Sequence, residues 1–136
     1  MMKELTASHL DERTWQLLSF ATSHHRIESE MEKYERDPNR KLYGYVHEDE
    51  LVGCIGIQLT SSSACEIKHI AVLPSFRGKA IGKQMVEFVI SEYRLHRLFA
   101  ETDMEAVDFY RRLGFSIVSL GEKYVGVERF YCEIIL

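Results

Sequence analysis

The stretch Val72-Leu73-Pro74-Ser75-Phe76-Arg77-Gly78-Lys79-Ala80-Ile81-Gly82 constrains this chain more than any other. A strand-like segment, Cys65 to Val72, stops at Leu73-Pro74, and a loop of small residues follows. Ile81, Met85, Phe88 and Val89 then recur at helical spacing. The first turn of a helix carries unpaired N–H groups and a partial positive charge. Small residues let an anion approach those groups, and Arg77 and Lys79 add charge beside them. From these residues alone two readings stay open: a phosphate site, or a strand-to-helix loop whose glycines serve packing. The loop has neither the GxGxxG fingerprint nor a Walker A pattern.

The flanking sequence places this loop in a larger plan. Leu10, Trp15 and Leu18, with Thr14 and Ala21, recur as one helical face, and Asp11-Glu12 suit that helix's N-terminus. Ile27 to Arg36 is rich in helix formers and stops at Asp37-Pro38-Asn39, since the residue before proline avoids helical geometry. Leu42 to His47 and Leu51 to Leu59 read as a hairpin about Glu48-Asp49-Glu50, and Ser61-Ser62-Ser63 turns into the strand Cys65 to Val72. Leu98-Phe99-Ala100 is a short strand. Ala106, Phe109, Tyr110 and Leu113 form an apolar helical stripe that Gly114 stops. Phe115 to Leu120 and Arg129 to Leu136 are the last strands. Helices, an antiparallel meander, then strand–helix–strand–helix–strand–strand predict an α/β (α+β) fold: a mixed sheet flanked by helices.

At 136 residues the expectation is one domain, 1–136. No apolar run reaches the roughly 20 residues of a membrane span, and the N-terminus lacks a signal-peptide core. Cys54, Cys65 and Cys132 are an odd set without CxxC spacing, so they read as reduced, buried thiols of a cytoplasmic protein with no metal site. The net charge of −4 argues against a nucleic-acid partner and leaves amine substrates open.

Two motifs carry a resemblance to a known family. Val72-x-Pro74-x-x-Arg77-Gly78-Lys79-Ala80-Ile81-Gly82 resembles motif A of the GNAT N-acetyltransferases, with Arg77, Ala80 and Gly82 on its fixed positions. Ala80 stands where a middle glycine is usual, and is expected to tighten the loop slightly while its amide still donates. Downstream, Ala106-x-x-Phe109-Tyr110-x-x-x-Gly114-Phe115 resembles motif B, and Asp103 stands where many members carry an asparagine that contacts the coenzyme. The resemblance covers Leu42 to Leu136; the N-terminal helices agree only in number and position.

The resemblance implies a mainly antiparallel GNAT-like sheet, acetyl-CoA or a short acyl-CoA as co-substrate, and transfer to a small-molecule or peptide amine by direct attack in a ternary complex. The protein would act away from membranes, as a monomer or homodimer. The backbone of Ile70, Ala71 and Val72 would face the thioester and pantetheine. Arg77, Gly78, Lys79, Ala80, Ile81, Gly82 and Lys83 would cradle the phosphates, with Asp103, Phe109 and Tyr110 also touching the coenzyme. A non-catalytic acyl-CoA sensor is the alternative function.

Transfer to an amine of pKa near ~10.4 needs a route for its proton and a stabilised leaving thiolate. In the family the motif B tyrosine, here Tyr110, points at the coenzyme sulfur; by periodicity alone it is a core aromatic. Glu66 lies six residues before Val72, the offset at which histone acetyltransferase-like members carry their glutamate base. Strand alternation puts Glu66, Lys68, Ile70 and Val72 on one face and His69, a rival base, on the other with Ile67 and Ala71. The bland readings are a carboxylate paired with Lys68 and a satisfied core histidine. His24-His25 lie where the family lines its acceptor site, though such pairs are usually exposed. Glu28, Glu30, Glu32 and Glu35 either attract a cationic amine or form the wet face of a helix.

Overall fold

The structure, a computed structural model, describes residues 1–6 and 11–136. Its strands are β1 (Met2–Glu4), β2 (Arg40–His47), β3 (Glu50–Leu59), β4 (Ala64–Val72), β5 (Arg97–Asp103), β6 (Ser116–Tyr124) and β7 (Val127–Ile135). Its helices are α1 (Glu12–Ser19), α2 (His24–Arg36), α3 (Ile81–Tyr93) and α4 (Val107–Arg112). The seven strands form one sheet in the order β1-β2-β3-β4-β5-β7-β6, antiparallel throughout except for the β4–β5 pair. This is the mixed, mainly antiparallel sheet flanked by helices that the sequence predicts.

Cross-strand partners sort the two faces. Tyr43 of β2 meets Phe88 and Tyr93 of α3, whereas its near neighbour Arg40 pairs with Glu30 of α2. Phe109 of α4 abuts Gly82 of α3, so α3 and α4 share the first face, and α1 with α2 cover the second. Ile55, Ile57, Met85, Val89 and Leu98 are fully buried between these layers.

Helix α1 starts on Asp11, whose carboxylate accepts from the Thr14 amide at 3.1 Å. Its buried face is Thr14, Leu17 and Leu18. Trp15, expected on that face, lies outward and meets His24 edge-on at 4.7 Å; Leu10 lies outside the described residues. Phe88 of α3 is half-buried and Val86 is buried instead. At the end of α4 the amide of Phe115 bonds to Tyr110 O, and Gly114 takes φ 93°, the left-handed conformation of a helix stop.

Candidate active site

Strands β4 and β5 pair over four registers only, from Ala64↔Arg97 to Ile67↔Ala100. Beyond that point β4 stays with β3 and β5 stays with β7, so the two strands part. A β-bulge causes the divergence. Ile57 pairs with Ile67 but Gly56 pairs with His69, which leaves Lys68 as the extra residue and bends β4. A cleft of about 880 Å³ fills the gap, lined by Ile67–Val72 on one side and Glu101–Asp103 on the other. It reaches from the α3–α4 face, where Gly82 and Tyr110 line it, to His69 on the α2 face.

The bulge corrects the expected alternation. Directly paired residues share a face, so Glu66, opposite Gln58, lies on the α2 face, and His69, opposite Gly56, lies there too. Ile70, opposite Ile55, faces α3. Glu66 therefore sides with His69 and not with Ile70 and Val72. Its carboxylate is 3.3 Å from Lys68 Nζ and is absent from the cleft lining.

His69 is 6% exposed. Its Nδ1 lies 2.6 Å from Tyr34 Oη, and its Nε2 lies 3.9 Å from Glu30 Oε2. Glu30 in turn receives Arg40 Nη1 at 2.9 Å and Lys33 Nζ at 3.3 Å. Burial holds the imidazole below its ordinary pKa, though Glu30 opposes it. Burial also raises Glu30, but the Arg40 hydrogen bond and the neighbouring positive groups outweigh it and hold this carboxyl low. Nε2 has no hydrogen-bond partner among the described residues, where no buried polar side-chain atom is left unpaired. Nε2 therefore keeps some access to solvent, and His69 belongs to the cleft lining.

On the other face the loop before α3 forms the cradle. Gly78 and Ala80 have φ of 79° and 62°, so consecutive amides turn inward. The amides of Ile81, Gly82 and Lys83 precede the first intrahelical bond, Gln84 N to Ala80 O. Those of Gly78, Lys79 and Ala80 take no backbone acceptor among the described residues. A Cβ at Gly82 would lie 2.8 Å from Phe109 Cε1, so glycine lets α4 close onto this turn. What distinguishes Ala80 from glycine is that a side chain must hold left-handed backbone. Arg77 folds back: its Nε donates to Val72 O at 2.9 Å and its guanidinium stacks 5.1 Å over Phe20. Lys79 lies over Phe76 at 5.3 Å and is absent from the cleft lining, whereas Lys83 and Arg112 belong to it. Free amides, a helix N-terminus and flanking cations fit a diphosphate, the group that coenzyme A would place there.

Tyr110 lines the cleft from α4, its ring between Phe109 and Phe115 at 5.2 and 5.3 Å. It is 4% exposed, and its hydroxyl has no hydrogen-bond partner among the described residues, so Oη too keeps some access to solvent. Burial, followed by Cys132, pushes its pKa up and keeps the phenol protonated. Asp103 lines the cleft, but its Oδ1 accepts from the Glu105 and Ala106 amides at 3.1 Å, capping the turn into α4.

Other expected groups are placed elsewhere. His24 and His25 are exposed at the start of α2 and do not line the cleft. Of the acidic stretch, Glu30 is paired with Arg40 and Lys33 and Glu32 with Arg36, while Glu28 and Glu35 are exposed. Among the lining residues that sequence reasoning missed are Phe20, Glu101, Thr102, Arg112 and Arg129. Thr102 and Arg129 follow once β5 is known to part from β4, a pairing that no local pattern announces.

The model of the acetyltransferase (GNAT) family matches residues 6–115. The chain belongs to that family. An uncharacterised N-acetyltransferase of Bacillus methanolicus is 36% identical over 62 residues, 46% of this chain and 52% of that protein. The chain thus spans about half the length of that relative. A streptothricin acetyltransferase of Escherichia coli is 27% identical over 123 residues, 86% of this chain and 70% of that protein. A GNAT acetyltransferase from Elizabethkingia anophelis, with acetyl-CoA bound, superposes with a TM-score of 0.77 at 20% identity, covering 100% and 97% of the two chains. That likeness is one of fold. Among the described residues no helix is long and apolar enough to cross a membrane.

Proposed function

We propose that the chain, as one domain over 1–136, transfers an acetyl or short acyl group from acyl-CoA to an amine. The observation that carries this reading is the cleft between β4 and β5, which joins the free amides of residues 78–83 on one face to His69 on the other and has the Tyr110 hydroxyl in its wall. When bound, the coenzyme supplies an activated acyl group. The amides of residues 78–83, with Arg77 and Lys83 beside them, hold its phosphates. The parted edge of β4, Ile70 to Val72, lies along its reactive arm, and Phe109 closes the turn. Asp103 reaches the same arm only with the oxygen its amide partners leave free, and as a carboxylate it accepts but does not donate.

Tyr110 Oη donates its proton to the departing sulfur, a task suited to a phenol that burial keeps protonated. A side chain on the α2 face of β4 takes the amine proton. Glu66 is one candidate, and it serves once Lys68 releases its carboxylate; His69 is the other. Burial pushes Cys54 and Cys65 up to about 12 and raises Cys132, so none is poised as a nucleophile. That supports direct attack. The acceptor is a small-molecule or peptide amine. The three unpaired thiols and the coenzyme support a cytoplasmic site of action, and the net charge of −4 argues against nucleic acid as partner. We take the active form to be a monomer or homodimer.

The test is turnover of acetyl-CoA with a broad amine panel, wild type against Tyr110→Phe. The variant keeps the ring, so the fold and acetyl-CoA affinity should hold while kcat falls by about 10²-fold, the low end for a general acid. Full turnover by the variant would reduce Tyr110 to packing. Binding of acetyl-CoA with no acylation of any amine would favour a sensor.

A further inference from the structure

Strand pairing fixes which charges of the cleft lining share the α2 face. Glu66 meets Phe99, so Phe99, Glu101 and Asp103 of β5 alternate onto its face, and Asp103 meets Arg129 of β7. Phe130, the next residue, turns the other way and is buried. Most of the charged groups on this side are engaged within the chain. Lys123 Nζ reaches Glu101 at 2.6 Å, Lys68 of the bulge pairs with Glu66 at 3.3 Å, and Asp103 accepts two amides.

Arg129 is the exception. It is half-buried in the cleft wall, and among the described residues its guanidinium makes a single contact, Nη2 to Glu101 O at 3.4 Å. That carbonyl belongs to the first β5 residue past the seam with β4, so the open donors lie where the strands part. Arg97, on the same face of β5, shows what an arginine spent on structure looks like in this sheet. It has Glu133 and Tyr131 Oη each at 2.5 Å and stacks 4.2 Å over Phe99. The other arginines of the lining attend the cradle side: Arg77 folds back onto Phe20, and Arg112 ends α4. Glu105, also in the lining, is exposed on the turn into α4. The acidic stretch of α2 contributes nothing to the lining.

We propose that Arg129 binds an anionic group of the acceptor, so that the amine acylated belongs to a molecule that also carries a carboxylate or a phosphate. The inference rests on the acyl-transfer reading and names a substrate class for it. A guanidinium presents five N–H donors in a planar fork that either oxyanion matches, and here only one is spent, on a long bond. Held from β7, the acceptor spans the gap and directs its amine towards the parted edge of β4. A lysine would supply the charge without the fork.

Matched acceptors test this: amino acids and dipeptides each against its C-terminal amide, and phosphoethanolamine against ethanolamine. In at least one arm the acid should exceed its neutral partner in kcat/KM by about tenfold or more, the worth of one charge-assisted hydrogen bond. The two arms tell carboxylate from phosphate. Arg129→Gln should bring acids down to the level of their neutral partners, mainly through acceptor KM, and Arg129→Lys should keep part of the preference. No preference for either acid in wild type, or an equal loss on acids and neutral amines in Arg129→Gln, overturns the proposal. Guanidinium nitrogen-15 NMR reads the contact without turnover, with Arg129→Gln assigning the signal. The preferred acid should move that signal and its neutral partner should not; a signal that no acid moves overturns the proposal. If no amine is acylated while the signal still moves, the acyl-transfer reading fails and the anion site stands.

Discussion

Ala80 and Gly78 offer reciprocal tests of the cradle's backbone. Ala80 is held at φ 62° and ψ 19°, and Gly78 at φ 79°. A side chain in this region costs about 1–2 kcal/mol, because Cβ crowds the following carbonyl. Glycine at position 80 removes that cost but gains freedom in the unfolded chain, which offsets about 0.4–1 kcal/mol. Taking midpoints, Ala80→Gly should stabilise the fold by about 0.8 kcal/mol. Gly78→Ala runs the same sum backwards. A Cβ there meets nothing within 4 Å, so only conformation counts and the variant should lose about 0.8 kcal/mol. For a chain of this size each change is worth roughly 2–5 °C in Tm. Thermal unfolding followed by circular dichroism reads both, and a parallel calorimetric titration should find CoA affinity nearly unchanged in Ala80→Gly, whose amide remains. A lower Tm for Ala80→Gly, or a higher one for Gly78→Ala, would refute the assigned backbone and the reason given for glycine at such positions.

Gly82→Asp brings an anion and a Cβ that crowds Phe109 into the first turn of α3. CoA affinity should fall by at least about tenfold for each charge-assisted hydrogen bond lost, read by calorimetry on the folded variant. Unchanged affinity would remove the loop from the coenzyme site. Stability should also fall on acidification. His69 is held below its ordinary value, so the unfolded chain binds the extra proton first as pH drops below about 6.5, and the native state loses ground. Glu30, held low, prolongs the loss nearer pH 4. Urea midpoints at pH 7 and pH 5 should show the decline, and His69→Gln should flatten its upper part. An identical slope in the variant would place the titrating group elsewhere.

Much of this was legible in the chain because local chemistry dictated it. The switch from strand to helix at Pro74–Ile81 rests on proline, glycine and apolar spacing within a dozen residues, and the structure keeps it. Gly114 as a stop and Glu48–Glu50 as a turn are decided equally locally. Strand β1 was illegible, for three residues joined only to β2 carry no pattern of their own. The extra residue at Lys68 was equally hidden. A bulge shifts register without changing composition, so strict alternation put Glu66 and His69 on opposite faces when they share one. Trp15 misled by its size, since a partly exposed ring satisfied by His24 looks in sequence like a core residue.

The four-register contact between β4 and β5 makes the sheet two plates joined along a short seam. One plate is β1 to β4 and the other β5 to β7, each contiguous in the chain and each internally antiparallel. Only α3 carries the chain from one to the other. A molecule seated in the gap would therefore meet the unpaired edges of both plates. Its seat would then be a place where the sheet itself is left open, not a hollow beside a finished one.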